Sequence, residues 1–226
     1  MRFDVLTLFP EMVDTILRTS ILGRAMDAQI FSAYTHQIRD YSQDKHHRVD
    51  DTPYGGGKGM LLRPEPIDAC YHAVLKQSPE CKKRHTIYLS PQGKILTQQK
   101  AKSLLEYDQL ILLCGHYEGV DQRILDEIVE EEISVGDYIL TGGELPACIL
   151  IDCVARLIEG VLADSACHEI ESISCGMLEY PQYTHPAEFH GKAVPQVLLN
   201  GNHAEIAAWR FAQALEKTKR QRPDLL

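Results

Sequence analysis

The chain has 226 residues, 44% of them hydrophobic, with 32 acidic side chains against 23 basic ones and a formal net charge of −9. That length buries a real core, and that charge argues against broad nonspecific binding of nucleic acid, whose phosphates are met mainly by lysine and arginine. No run reaches the roughly 18 apolar residues of a membrane span, and seven scattered cysteines lack any CxxC pair, so a soluble cytoplasmic protein with reduced, buried thiols is expected.

In chain order, "FDVLTLF" (3–9) predicts a strand and a helix follows from about Glu11; "IFSAYTHQI" (30–38) predicts the next strand. A helix is expected after Pro64, then strand "HTIYLS" (85–90), a helix from about Thr97, strand "QLILLC" (109–114), a helix near Val120 to Val129 and strand "EISVGDYIL" (132–140). That alternation reads as an α/β domain with a mostly parallel sheet. The clearest helix runs from Pro146 to Ile158, with Ile149, Leu150, Cys153, Val154, Leu157 and Ile158 as one apolar stripe. Beyond Gly160 periodicity fails for over forty positions, which predicts linker and loops. Helical pattern returns from about His203 to Lys219 as a compact C-terminal piece. Acid is concentrated in "DEIVEEE" (126–132), whereas Arg210, Lys217, Lys219, Arg220 and Arg222 offer a C-terminal platform for a polyanion.

Three predicted strands end alike. "HTIYLS" runs into Pro91-Gln92-Gly93, "QLILLC" into Gly115-His116-Tyr117-Glu118-Gly119, and "DYIL" into Thr141-Gly142-Gly143. One glycine after a strand makes only a turn, but three such turns at the carboxyl ends of neighbouring strands line a ligand pocket with bare backbone. The cluster "DDTPYGGGKGM" (50–60) fails as a phosphate loop, because Lys58 is followed by Gly59 and no strand precedes it. It is either a plain surface loop or a nearly side-chain-free loop, with Asp50, Asp51 and Lys58 at hand, that approaches a substrate closely. "HEIES" (168–172) is not H-E-x-x-H and His46-His47 point apart, so no protein-only zinc or iron site is expected. Read from spacing alone, Arg156 makes an exposed pair with Asp152 worth ~0.3 to 0.5 kcal/mol, and Glu171 is a solvated carboxylate.

Taken together, "TLFPEM" (7–12), "VDDTPYGGGKGM" (49–60), "IYLSPQG" (87–93), "LCGHYEGVDQR" (113–123), "EEISVGDYILTGGELPA" (131–147) and "VLLNGNHAEIAAWR" (197–210) closely resemble bacterial tRNA (guanine-N1) methyltransferases, in order over nearly the whole chain. The resemblance implies a SPOUT-type α/β fold: a methyltransferase domain over 1–160 with a C-terminal trefoil knot, a flexible linker over 161–176, and a small helical tRNA-binding domain over 177–226. Knots are otherwise avoided by protein chains. It implies S-adenosylmethionine held by Leu89, Ser90, Pro91 and Gln92, by Gly115, Tyr117 and Glu118, and by Ile133, Val135, Gly136, Tyr138, Leu140, Gly142 and Gly143. It implies a homodimer with shared active sites, dependence on Mg²⁺ with ligands unassigned, and methylation of N1 of the guanosine just 3′ of the anticodon, position 37.

That nitrogen carries a proton at neutral pH, so transfer needs a base and something to stabilise charge on O6. By resemblance these are Glu171 and Arg156. Relatives carry aspartate where Glu171 stands, and the extra methylene demands readjustment, since misplacement by ~1 Å can cost a hundredfold in rate. Arg24, Asp50, Lys58, Gly59 and His185 are further expected tRNA contacts. Relatives commonly have arginine in place of His185 and a longer tail beyond Leu226, which predicts a weaker grip on tRNA. Two rivals stand beside this reading: a nucleotide hydrolase built on Gly55 to Gly59, and a noncatalytic RNA-binding module.

Overall fold

The computed structural model describes residues 1–162, 172, 173 and 176–226, which fall into two compact units, Met1–Ala163 and Asp164–Leu226. The first unit runs β1 (Arg2–Thr7), α1 (Pro10–Leu17), α2 (Ser20–Asp27), β2 (Ser32–Gln37), β3 (Asp50–Asp51), β4 (Leu61–Leu62), α3 (Pro64–Gln77), β5 (Arg84–Ile95), α4 (Gln98–Leu104), β6 (Gln109–Cys114), α5 (Gln122–Ile128), β7 (Glu131–Ser134) and α6 (Glu144–Ala155). Five strands form one sheet in the order β2-β1-β6-β5-β7, and every neighbouring pair is parallel.

The apolar pattern dictates two cores. Every residue of β6, "QLILLC", is buried, as expected for a central strand covered by helices on both faces. Because successive strand side chains point to opposite faces, Phe3, Val5, Leu110 and Leu112 pack with α1, α2, α4 and α6, whereas Leu6, Ile111 and Leu113 pack with α3 and α5. Asp4 on β1 is fully buried yet satisfied: Arg2 donates from Nε and Nη2 at 2.8 Å each, Gln109 Nε2 at 2.7 Å, and His36 Nε2 lies 2.8 Å away. Burial opposes its ionisation, but these bonds outweigh it and hold the carboxyl below its ordinary range.

Four sequence expectations are corrected. The helix from about Glu11 is two helices, broken at Thr19–Ser20, where Ser20 takes a φ of 54°. The strand "EISVGDYIL" stops at Ser134, because Ser134 Oγ accepts the Gly136 N–H at 3.1 Å and donates to the Gly136 carbonyl at 3.0 Å, turning the chain away from the ladder. The helix expected over 146–158 spans Glu144–Ala155, and its apolar residues are not one stripe: Leu150 and Val154 are buried, but Ile149 is 41% exposed. β5 also outruns "HTIYLS", continuing through Pro91-Gln92-Gly93 to Ile95 with a shift of register against β7 between Leu89 and Lys94.

In the second unit a short hairpin, β8 (Glu188–Phe189) and β9 (Lys192–Ala193), precedes α7 (His203–Gln221). Asn202 caps α7 by accepting the N–H groups of Ala204 and Glu205. Thr218 on that helix accepts the Leu178 N–H at 2.9 Å, and the Arg210 guanidinium lies 4.8 Å from the Tyr180 ring.

Candidate functional site

At the carboxyl ends of β5, β6 and β7 lies a cavity of about 230 Å³. Its wall combines residues 88–91, 115–119 and 133–136 with the loop 138–143 and Pro146 at the start of α6. These three segments are tied to one another by main chain. His116 and Gly142 form an antiparallel bridge, Gly143 N–H donates to the Gly115 carbonyl at 2.9 Å, and Leu96 N–H donates to the Ser134 carbonyl at 2.7 Å.

Bareness of the backbone is required for this closeness. A Cβ on Gly143 would fall 2.7 Å from the Cys114 Cα, one on Gly115 would fall 2.7 Å from the Tyr88 hydroxyl, and one on Gly142 would sit 2.9 Å from His116 Nδ1 and against the Glu144 carboxylate. The cradle thus presents N–H and C=O groups where any larger residue would occupy the space itself. Burial, with Glu132 nearby, pushes the Tyr88 phenol up to about 12, so it stays neutral in the wall. Burial likewise raises the Cys148 thiol to about 11 and the Cys114 thiol further, with the Glu144 carboxylate adding to both.

Of the expected donor-binding residues, Leu89, Ser90, Pro91, Gly115, Tyr117, Glu118, Ile133, Val135, Gly136, Tyr138, Leu140, Gly142 and Gly143 all line this one cavity. Gln92 is exposed just beyond it, its N–H bonded to Ser90 Oγ at 3.1 Å. Tyr88, His116, Ser134, Ile139 and Thr141 also line the cavity; they lie inside the quoted motifs without having been assigned to the donor. Each lies within two residues of a position that was singled out, so proximity in sequence was the available signal.

The glycine-rich loop comes to the same place. Glu118 N–H donates to the Met60 carbonyl at 3.0 Å, Leu62 bridges Val120, and Gly59 abuts the Glu118 side chain. Asp50 sits on β3 and Lys58 is exposed in the loop. Arg24 is exposed on α2 beside a separate cavity with Gly160 and Leu162, and His185 is exposed in the second unit. Arg156 caps the carboxyl end of α6, ten residues and hence about 15 Å of helix rise beyond Pro146. Glu171 lies outside the described residues. Among the described residues, no group of three or more His, Cys, Asp or Glu could hold a metal ion, and no helix is long and apolar enough to cross a membrane.

Beside the pocket, an apolar groove of about 630 Å³ runs between α1, α2 and α6. Ile16, Ile21, Leu140, Leu145 and Ile149 line it, each between 36% and 41% exposed. Tyr138 and Leu140 belong to both cavities.

The sequence model of the family described as tRNA (guanine-1)-methyltransferase TrmD matches residues 1–226. A curated relative from Ruminiclostridium cellulolyticum, named tRNA (guanine-N(1)-)-methyltransferase, is 54% identical over 228 residues, covering 100% of this chain and 96% of the relative. Relatives of the same name from Alkaliphilus metalliredigens (52% over 229 residues) and Nostoc punctiforme (50% over 227) each cover 100% of this chain and 92% and 93% of their own length.

Proposed function

This chain belongs to the tRNA (guanine-1)-methyltransferase family, a transferase family that uses S-adenosylmethionine, and on that premise we propose that it methylates N1 of guanosine 37, immediately 3′ of the anticodon, in tRNA. The observation that carries the reading is the three-sided cradle of bare main chain at Gly115, Gly142 and Gly143, walled by the neutral Tyr88 phenol. S-adenosylmethionine, when bound there, supplies an electrophilic methyl group on a sulfonium. The backbone amides and carbonyls of the cradle suit a ligand with an adenine and an amino-acid end, and Leu89, Ile133 and Leu140 supply apolar surface to it.

On the acceptor side, Glu171 takes the proton from N1 and Arg156 donates to O6, where negative charge develops. Asp50, Lys58 and Gly59 bring the glycine-rich loop to the substrate, with Arg24 and His185 as outlying tRNA contacts. Magnesium finds no ligand set among the described residues.

The chain acts as a homodimer with shared sites, in the cytoplasm. One observation supports the dimer: the exposed apolar groove on α1, α2 and α6 is continuous with the donor pocket through Tyr138 and Leu140. A second copy seated in that groove covers it and brings the two sites together. The trefoil-knotted threading of the family belongs to the same reading, supported by the ties between loops 115–119 and 138–143.

The test is transfer of labelled methyl from S-adenosylmethionine to a tRNA transcript with guanosine after the anticodon, against a transcript with adenosine there. Methylation of the first only, lost in Glu171→Ala and kept in Glu171→Asp, is expected. Transfer to both transcripts, or an undiminished rate in Glu171→Ala, overturns the assignment.

A further inference from the structure

We infer that Glu144 is a positioning residue for the methyl donor, bracing the Gly142–Gly143 wall of the pocket through a bond to Thr7 on β1. The inference rests on the reading of this cavity as the donor site.

Glu144 is 3% exposed and Thr7 is fully buried. A carboxylate among apolar neighbours costs free energy unless it is bonded, so its presence in the first turn of α6 calls for a physical reason. Its Oε1 accepts from Thr7 Oγ1 at 2.7 Å. The same hydroxyl accepts the Phe9 N–H at 2.9 Å, which leaves its single proton directed at the carboxylate. Phe9 in turn packs its ring 5.0 Å from that of His116.

The other carboxylate oxygen, Oε2, faces the bare side of Gly142, and His116 Nδ1 faces the same spot. That nitrogen is buried without a hydrogen-bond partner, a condition shared among the described residues only by Gln98 Nε2. An unpaired buried polar group is unfavourable, and one placed at a pocket wall marks a surface held in place by something other than its own bonds. The wall meets the turn after β6 through backbone bonds at His116 and Gly115. Glu144 supplies the side-chain anchor, joining the ends of β1 and α6 exactly where the loop 138–143 returns to the helix. An apolar pair at Thr7 and Glu144 would fill the same volume without the cost of burying charge. What the polar pair adds is direction, since a hydrogen bond fixes a position that apolar contact leaves free to slide.

The test uses the full-length protein and S-adenosylhomocysteine as calorimetric probe, with KM for donor and for tRNA measured separately. Thr7→Val and Glu144→Met are each expected to weaken probe binding about tenfold, equivalent to 1.4 kcal/mol, and to raise donor KM in parallel, while tRNA KM stays within about twofold. Thr7→Ser, which retains the hydroxyl, and Glu144→Gln, which retains an acceptor oxygen, are expected to bind close to the parent. Should Thr7→Val not fold, Glu144→Met, similar in length and without an acceptor oxygen, carries the test alone. Folded Thr7→Val or Glu144→Met variants that bind the probe like the parent overturn the inference, as does a fall in thermal stability with donor affinity unchanged. A parent protein that does not bind the probe condemns the reading of the pocket instead of the brace.

Discussion

A Cβ built on Gly59 would lie 2.6 Å from Oε1 of Glu118. Gly59 also has a φ of +82°, which L side chains adopt only with strain. The glycine-rich loop is therefore seated against the pocket's own wall, and its lack of side chains is what permits the contact. Gly59→Ala is expected to push Glu118 aside and lower kcat/KM for methyl transfer by about tenfold or more, because displacements near 1 Å are costly at a reacting site. The melting temperature should move by no more than about 2 °C, as the loop lies outside both cores. An unchanged kcat/KM would detach the loop from the reaction.

Gly143 is the less forgiving position, since its Cβ would meet the backbone of Cys114, which cannot swing away as a side chain can. Gly143→Ala should abolish S-adenosylhomocysteine binding by calorimetry, a loss of at least about a hundredfold for a wall displaced into the cavity. Binding at parental strength would mean that the cavity is not the donor site.

The separation of Arg156 from Pro146 along α6 yields a complementation experiment. If the proposed homodimer shares its sites, Arg156→Ala and Gly143→Ala proteins, each inactive alone, should recover part of the parental activity when unfolded and refolded together, since a mixed dimer would then hold one intact composite site. No recovery would place Arg156 and the pocket of the same protomer in one site. Ile149→Asp, with a charge set into the apolar groove, should shift the protein to monomer in analytical ultracentrifugation.

Asp4 sets a pH dependence whose sign follows from its depressed pKa. The stabilisation is fully present above the ordinary carboxyl value near 3.9 and is lost as pH falls through the lower folded value. The Asp4 share of the stability should therefore be constant from neutral pH down to about pH 4 and be lost below it. Asp4→Asn, which removes the buried carboxylate partner of Arg2, should cost roughly 3 kcal/mol at pH 7, and the gap between its urea midpoint and the parent's should narrow as pH falls below about 4.

Cys114 and Cys148 flank the pocket wall, yet burial holds both thiols protonated. Iodoacetamide at pH 8 should leave both unmodified in the native protein and modify both after unfolding, as read by peptide mass spectrometry. Native labelling of Cys114 would show that the wall opens.

Much of the pocket was legible because its determinants are local. Strands followed by glycine-bearing turns can be read from "LLCGHYEG" and from "LTGGELP", and a parallel sheet carries the carboxyl ends of its strands to one edge. The end of β7 was not legible. "SVGDYIL" has the composition of a strand, and only the bonds of Ser134 Oγ to Gly136 turn it into the outer wall. The two faces of α6 were likewise hidden, since apolar residues lie all around it and periodicity cannot tell Leu150, facing the sheet, from Ile149, facing the groove.

By itself the sequence determined the alternation of strands and helices, the bare turns and the family, because these rest on patterns a few residues long or on ordered motifs. Tertiary structure alone decided that Thr7 meets Glu144, that Gly59 meets Glu118, and that Leu140 and Ile149 share one groove. Those are relations between segments brought together by the packing of both cores, and no spacing along the chain encodes the distance between two side chains that only a folded sheet makes neighbours.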